Sequence, residues 1–334
     1  MTDELELLRG FRADLRPAPA ANRVAARARL LRAPAPRRRP PRAALALAAV
    51  AAAAGAVAVV SGLDDGRVAP ASAAARALQR VATVAEHHTG PGVPRDDQYF
   101  YVASEGTELS SAYPTSDAND GFSYLYTKRR QIWLSVTRPG LLREKQVGGE
   151  RWLTPRDREN WIRAGRPKMS GGGADAMAMG AIGHYYLGDE KLSTQQLRDL
   201  DPTPRELFDR LRSRVGDRGA SPDGEVFVEI ADALREAPQT PRLRATFCRA
   251  LALVPGVQLL GNVKDRLGRD AIGVAFTERT GVRHELLFDP ETSEVLNERQ
   301  VVVKRVQGLT APVGTAIEDI VYTKRAVTDA TTRP

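Results

Sequence analysis

Residues 43–63 run Ala-Ala-Leu-Ala-Leu-Ala-Ala-Val-Ala-Ala-Ala-Ala-Gly-Ala-Val-Ala-Val-Val-Ser-Gly-Leu without one charged side chain, and this stretch divides the chain into two unequal parts. At about 1.5 Å per helical residue it reaches roughly 31 Å, the hydrocarbon thickness of a bilayer. Its drive to insert is modest. Leu45, Leu47, Val50, Val57, Val59, Val60 and Leu63 together supply on the order of 3 kcal/mol, against Gly55, Ser61 and Gly62. An amphipathic core helix would show a polar residue every three or four positions, and the stretch has no such stripe. A cleavable signal peptide would start from a short basic segment, whereas 42 residues precede this one. The sequence therefore predicts an uncleaved transmembrane helix over 43–63.

Charge sets its direction. The window 23–42 holds Arg23, Arg27, Arg29, Arg32, Arg37, Arg38, Arg39 and Arg42, whereas 64–83 holds Arg67, Arg76 and Arg80 beside Asp64 and Asp65. The arginine-rich flank stays in the cytoplasm. The expectation is a single-pass cell-membrane protein with residues 1–42 cytoplasmic and residues 64–334 extracytoplasmic, with Arg37, Arg38, Arg39 and Arg42 holding the anchor at anionic headgroups. A net charge of +8 and a pI of 9.8 point first to nucleic acid. Residues 1–42, however, carry eleven Arg against Asp3, Glu4, Glu6 and Asp14, which leaves only +1 for the rest of the chain. A direct nucleic-acid partner thereby loses its support.

Within the cytoplasmic segment, Leu5, Leu8, Phe11 and Leu15 fall near one face at helical spacing, with acids in the first turn. A helix this short has nothing of its own to pack on, so it is either a frayed peptide lying against the membrane or a docking element, with these four residues the candidate surface for a cytoplasmic partner. Pro17, Pro19, Pro34, Pro36, Pro40 and Pro41 mark the remainder as linker.

Beyond the span, Cys248 is the only cysteine, so no intramolecular disulfide supports the outer part and its core must do so. A helix is predicted over 71–86 with Leu78, Val81, Ala82 and Ala85 inward. Period-two patterns then predict strands over 98–104, 122–128, 131–137, 141–147 and 150–154. From about 193 to 255 the pattern turns helical, and Thr203-Pro204, Ser221-Pro222 and Thr240-Pro241 supply three caps, each followed by proline. Strands resume over 257–266, 270–278, 283–288, 295–306 and 316–327. The expected fold is α+β: a transmembrane helix, then a curved antiparallel, half-barrel-like sheet with a three-helix insertion.

No His-Glu-x-x-His, Gly-x-Ser-x-Gly, Ser-x-x-Lys or Walker string occurs, and the histidines (His87, His88, His184, His284) lack metal-ligand spacing. Gly171 to Ala176 matches a Gly-x-Gly-x-x-Ala string but follows no strand, so it reads as a loop. Glu225, Glu229, Asp232 and Glu236 read as the solvated face of a helix whose inner face is Val226, Ile230 and Leu234. The expectation is a non-enzymatic protein with neither cofactor nor metal. Tyr99, Tyr101, Tyr124, Tyr126 and Trp133 are candidates to line an apolar cavity for a lipid or other apolar ligand.

Three stretches carry a resemblance: Pro241 to Val257, Asp265 to Arg269, and Leu286 to Leu296, which contains Phe288-Asp289-Pro290-Glu291-Thr292-Ser293. They resemble an uncharacterised family of single-pass actinobacterial membrane proteins that are often encoded beside extracytoplasmic-function sigma factors. That resemblance makes a sigma factor the candidate cytoplasmic partner and brings no catalytic residues. The family usually has Thr-Gly where this chain has Thr292-Ser293. A looser likeness, in architecture alone, is to the half-barrel of lipoprotein carriers and of sensor domains that regulate anti-sigma factors. It makes an envelope lipid or lipoprotein carrier the alternative function.

Overall fold

The computed structural model describes residues 72–113, 120–168, 176–187, 190–215, 221–332 and 334. The predicted span 43–63, the docking residues Leu5, Leu8, Phe11 and Leu15, and the flanking Arg37, Arg38, Arg39 and Arg42 lie outside the described residues, as does most of the Gly171 loop. Among the described residues no helix is long and apolar enough to cross a membrane. Residues Ser72–Pro334 form one compact unit.

Each helix begins on a hydroxyl cap. Ser72 accepts from the Ala75 N–H to start α1 (Ala73–His87), and Thr154 accepts from the Asp157 N–H to start α2 (Pro155–Arg163). Ser193 and Gln196 close a capping box at α3 (Thr194–Asp199). Thr203 and Glu206 do the same at α4 (Pro204–Val215). Ser221 and Thr240 cap α5 (Pro222–Glu236) and α6 (Pro241–Leu251). A hydroxyl at this position satisfies an amide that would otherwise lack a partner, and the proline after it loses nothing because its N–H would be free anyway. α2 uses the same Thr-Pro device as α4 and α6 but was not expected.

The strands are β1 (Tyr99–Ala112), β2 (Phe122–Leu134), β3 (Gly140–Gln146), β4 (Arg151–Trp152), β5 (Met177–Met179), β6 (Tyr185–Leu187), β7 (Glu190–Leu192), β8 (Gln258–Lys264), β9 (Asp270–Thr277), β10 (Val282–Phe288), β11 (Val295–Val302) and β12 (Ala316–Thr328). β6 and β7 form a separate hairpin. The rest make one 10-stranded antiparallel sheet in the order β5-β3-β2-β1-β12-β11-β10-β9-β8, with β4 also on β2. Two meanders thus meet at its centre, where the last strand pairs with the first. Register shifts at Ala103/Ser104, Leu287/Phe288, Gln300/Val301 and Leu259/Gly261 mark bulges, which add twist and let so wide a sheet curl.

The predicted strands 122–128 and 131–137 are one continuous strand, β2. The basic run Lys128-Arg129-Arg130 at their junction is paired: Lys128 with Glu108 and Glu144, Arg129 with Glu105, Arg130 with Glu144 and Glu236. The helices lie on one side of the sheet. α1, α4, α5 and α6 share a single core with Phe100, Val102, Ile132, Val274, Leu286, Phe288 and Tyr322. Cys248 is fully buried in it, and burial pushes its thiol up to about 12, which fits a small core residue and not a reactive one.

At the β10–β11 turn, Asp289 Oδ1 accepts from the Glu291 and Thr292 N–H groups, and the Ser293 N–H reaches the Asp289 carbonyl at 2.9 Å. Ser293 is buried with φ at +64°, a region usually left to glycine. The turn therefore keeps a glycine-type conformation although the residue is serine.

Candidate functional site: a charged row on the helix-facing side of the sheet

Alternation along a strand sends every second residue to the helix side, so register decides which side chains meet there. At one end of β1 that side is apolar, with Phe100 opposite Leu134 and Val102 opposite Ile132. Further along it becomes charged. Tyr126, Glu108, Glu318, Gln300 and His284 occupy one register row across β2, β1, β12, β11 and β10. The next row is Lys128, Gly106, Ile320, Glu298 and Leu286. A Cβ on Gly106 would stand 2.7 Å from Ile320 Cγ1, so only glycine lets Ile320 lie flat between the two acids.

α5 closes over these rows with its acidic side. Arg235 pairs with Glu298 from above and with Asp232 on its own helix, and Glu236 meets Arg130 at 2.7 Å. Lys128 bridges Glu108 and Glu144, each at 3.1 Å, and Tyr126 donates to Glu108 at 3.2 Å. Glu225, Glu229 and Glu236 are half-buried and Asp232 is exposed; Glu236 belongs to this cluster, whereas Glu225 lies near Glu278 at the start of the helix. The stripe expected to be solvated is therefore only partly so, with Glu236 paired to the sheet through Arg130. Its spacing was legible, but the charged partners waiting on strands far away in sequence were not.

Carboxylates outnumber cations in this cluster, and burial makes the excess felt. Burial raises Glu298 while the Arg235 guanidinium opposes the rise. Burial and the nearby Glu298 push Glu318 up to about 7, with Arg235 and a Gln300 hydrogen bond pulling the other way. Burial likewise raises Tyr126 and Tyr322. The cluster can therefore take up or release a proton near neutral pH, and its acceptors suit a cationic group. Among the described residues no group of three or more His, Cys, Asp or Glu side chains is placed to hold a metal ion.

The aromatics expected to line one cavity fall on opposite sides of the sheet. Tyr101 and Trp133, directly paired, pack with ring centroids 4.8 Å apart and planes tilted by 45° on the outer side beside Tyr99 and Ala103. There the Trp133 indole N–H donates to the Thr332 carbonyl at 3.1 Å, while Arg138 covers Tyr99 and Arg143 covers Trp133. Tyr124 and Tyr126 belong to the helix side, at the far end, where rings continue from Tyr124 to Trp152 and on to Trp161 at 5.8 and 5.3 Å. The outer side also bears a cleft of about 360 Å³, lined by Thr107, Leu125, Thr127, Arg151, Arg266 and Asp319. Its arginines and acid make it a polar cleft, not an acyl-chain site.

The fold is thus an α+β domain with a helical layer on one side of a curved antiparallel sheet. No family model matches the chain, and no curated protein matches it. Among solved structures it is similar to MucB in complex with MucA(peri), at 13% identity over 76% of this chain and 55% of that one, with a TM-score of 0.22. It is similar to the Pseudomonas aeruginosa MucA/MucB complex at 12% identity, over 77% of this chain and 57% of that one, with a TM-score of 0.23. A LolA superfamily protein from Nitrosomonas europaea matches at 11% identity, over 75% of this chain and 92% of that one, with a TM-score of 0.18. The chain spans little more than half the length of the MucB chains. At TM-scores this low the likeness carries no weight for what this chain does.

Proposed function

We propose that this chain is a membrane-tethered, non-enzymatic sensing and binding protein of the cell envelope. Its extracytoplasmic domain receives the signal, and its cytoplasmic helix engages a partner, for which a sigma factor is the candidate. One observation supports this above the others. The uncharged stretch 43–63, with its arginines on one flank, directly precedes a compact unit that begins at Ser72. The row around Glu298 and Glu318 is the sensing element, because its protonation changes the charge between α5 and the sheet. An envelope carrier of acyl chains would need an apolar cavity of several hundred Å³. The helix-facing core is instead closed by side chains of the domain itself.

Immobilised residues 1–42 are expected to capture a sigma factor from cells that make the protein, and Leu8→Asp, which breaks the apolar face, is expected to lose at least about nine-tenths of it. Capture by neither peptide, or equal capture by both, would overturn the cytoplasmic half of the proposal.

A further inference from the structure

Where α1, α5 and α6 meet the sheet, the packing leaves a small, partly open cavity. Its volume is about 20 Å³, and its lining is Pro91, Phe100, Leu234, Ala237, Gln239, Arg244, Glu294 and Arg325. Its walls come from every layer: the loop after α1, the first strand, the α5–α6 link, the β10–β11 turn and the last strand. The apolar part is unremarkable. The charged part is not, because two arginines converge on a space of this size.

Arg244 is 5% exposed, and the Arg325 side chain is 8% exposed. Arg244 donates through Nη2 to the His88 carbonyl at 2.7 Å. Arg325 donates through Nε to the Arg235 carbonyl and through Nη1 to the Val295 carbonyl, both at 3.0 Å, and its face lies 4.5 Å from the Tyr322 ring. Arg244 Nε and Arg325 Nη2 are buried and find no hydrogen-bond partner among the described residues. Orphaned donors on buried cations are costly. Glu294 is the acid in the lining, 3.7 Å from Arg325, and Glu236 also acts on Arg325 from outside the lining, so within the lining two cations face one carboxylate. Burial holds both guanidiniums below the usual arginine range, an effect partly offset by Glu294 at each and by Tyr322 and Glu236 at Arg325.

We propose that this cavity is a binding site for one monatomic anion of chloride size, held between Arg244 and Arg325, which fastens the helical layer to the sheet. Size selects the ligand class. A space of about 20 Å³ admits one water molecule or one halide, and it is too small for sulfate, phosphate or a carboxylate. Charge then favours the halide over water, since it answers both orphaned donors and the uncompensated positive charge together.

The test uses the full chain and simple salts. Raising sodium chloride from 10 to 500 mM is expected to raise the melting temperature by about 4 °C and to saturate, with bromide equivalent and sodium sulfate of equal ionic strength without the saturating rise. Chloride NMR should show excess line broadening that bromide competes away and sulfate does not. Arg244→Met and Arg325→Met should abolish the broadening, while Arg205→Met, at an exposed site, should leave it. If either buried variant fails to fold, the competition series on the unaltered chain decides alone. Sulfate competing as well as bromide, no excess broadening, or broadening retained in a folded Arg244→Met would overturn the proposal and leave an ordered water as the occupant.

Discussion

Arg235→Met is expected to destabilise the domain by about 3 to 5 kcal/mol at pH 7.5, among the largest effects of any single change outside the apolar core. The substitution keeps most of the side chain's bulk, so the loss is electrostatic. It strips Glu298, which is 7% exposed, of its cation while Asp232 and Glu236 remain nearby. Asp232 is exposed and water can serve it, so little of the cost arises there. An unpaired buried carboxylate escapes by protonating, and the cost should therefore shrink as pH falls toward 5. Adding Glu298→Met to Arg235→Met should recover most of the lost stability, because a well-packed apolar pair often replaces a buried ion pair at no net loss. Urea unfolding of the two single variants and the double variant at both pH values measures this. Equal losses at pH 5 and 7.5, with no recovery in the double variant, would show that Arg235 acts through packing alone.

Glu318→Gln is expected to stabilise the domain, and only above acidic pH. Glu318 stands near 7 in the folded protein, against 4.5 for the ordinary group. The folded state therefore binds the proton more tightly than the unfolded state does. Between about pH 4.5 and 7 stability falls as pH rises, because the buried carboxyl must ionise beside Glu298 and Glu108. The full penalty is present above pH 7 and absent below 4.5. Glutamine keeps the shape and the Gln300 contact without the charge. The variant should gain about 2 to 3 kcal/mol at pH 8 and nothing at pH 4.5, as read from melting temperatures across the range. A gain that does not change with pH would remove Glu318 from the sensing row.

That row was out of reach of the sequence for a specific reason. Glu108 and Glu318 are register partners on β1 and β12, at opposite ends of the domain, and neither lies in a motif. Local pattern found what local forces build. The helical spacing of Leu78, Val81, Ala82 and Ala85 matches the buried face of α1, and the Thr-Pro and Ser-Pro caps mark the starts of α4, α5 and α6. The same device stands at Thr154-Pro155, where it starts α2. Where long-range pairing overrides local pattern the reading broke. The gap between the predicted strands 122–128 and 131–137 falls at Arg129 and Arg130, which with Lys128 have no local reason to sit in a sheet. The acids that make them acceptable come from β1, β3 and α5. The aromatic cluster failed similarly: odd positions of β1 and β2 face away from the helices and even positions face toward them, so Tyr101 and Trp133 part from Tyr124 and Tyr126.

The two-sided topology underlies the proposed function, and protease added to intact protoplasts tests it most directly. With residues 64–334 outside the membrane, the protease should digest the domain that begins at Ser72 and leave a small protected fragment containing residues 1–63. If the domain survives until detergent opens the membrane, or if no fragment containing 43–63 is protected, the extracytoplasmic placement is wrong. The sensing role of the charged row would then lose its signal from outside the cell.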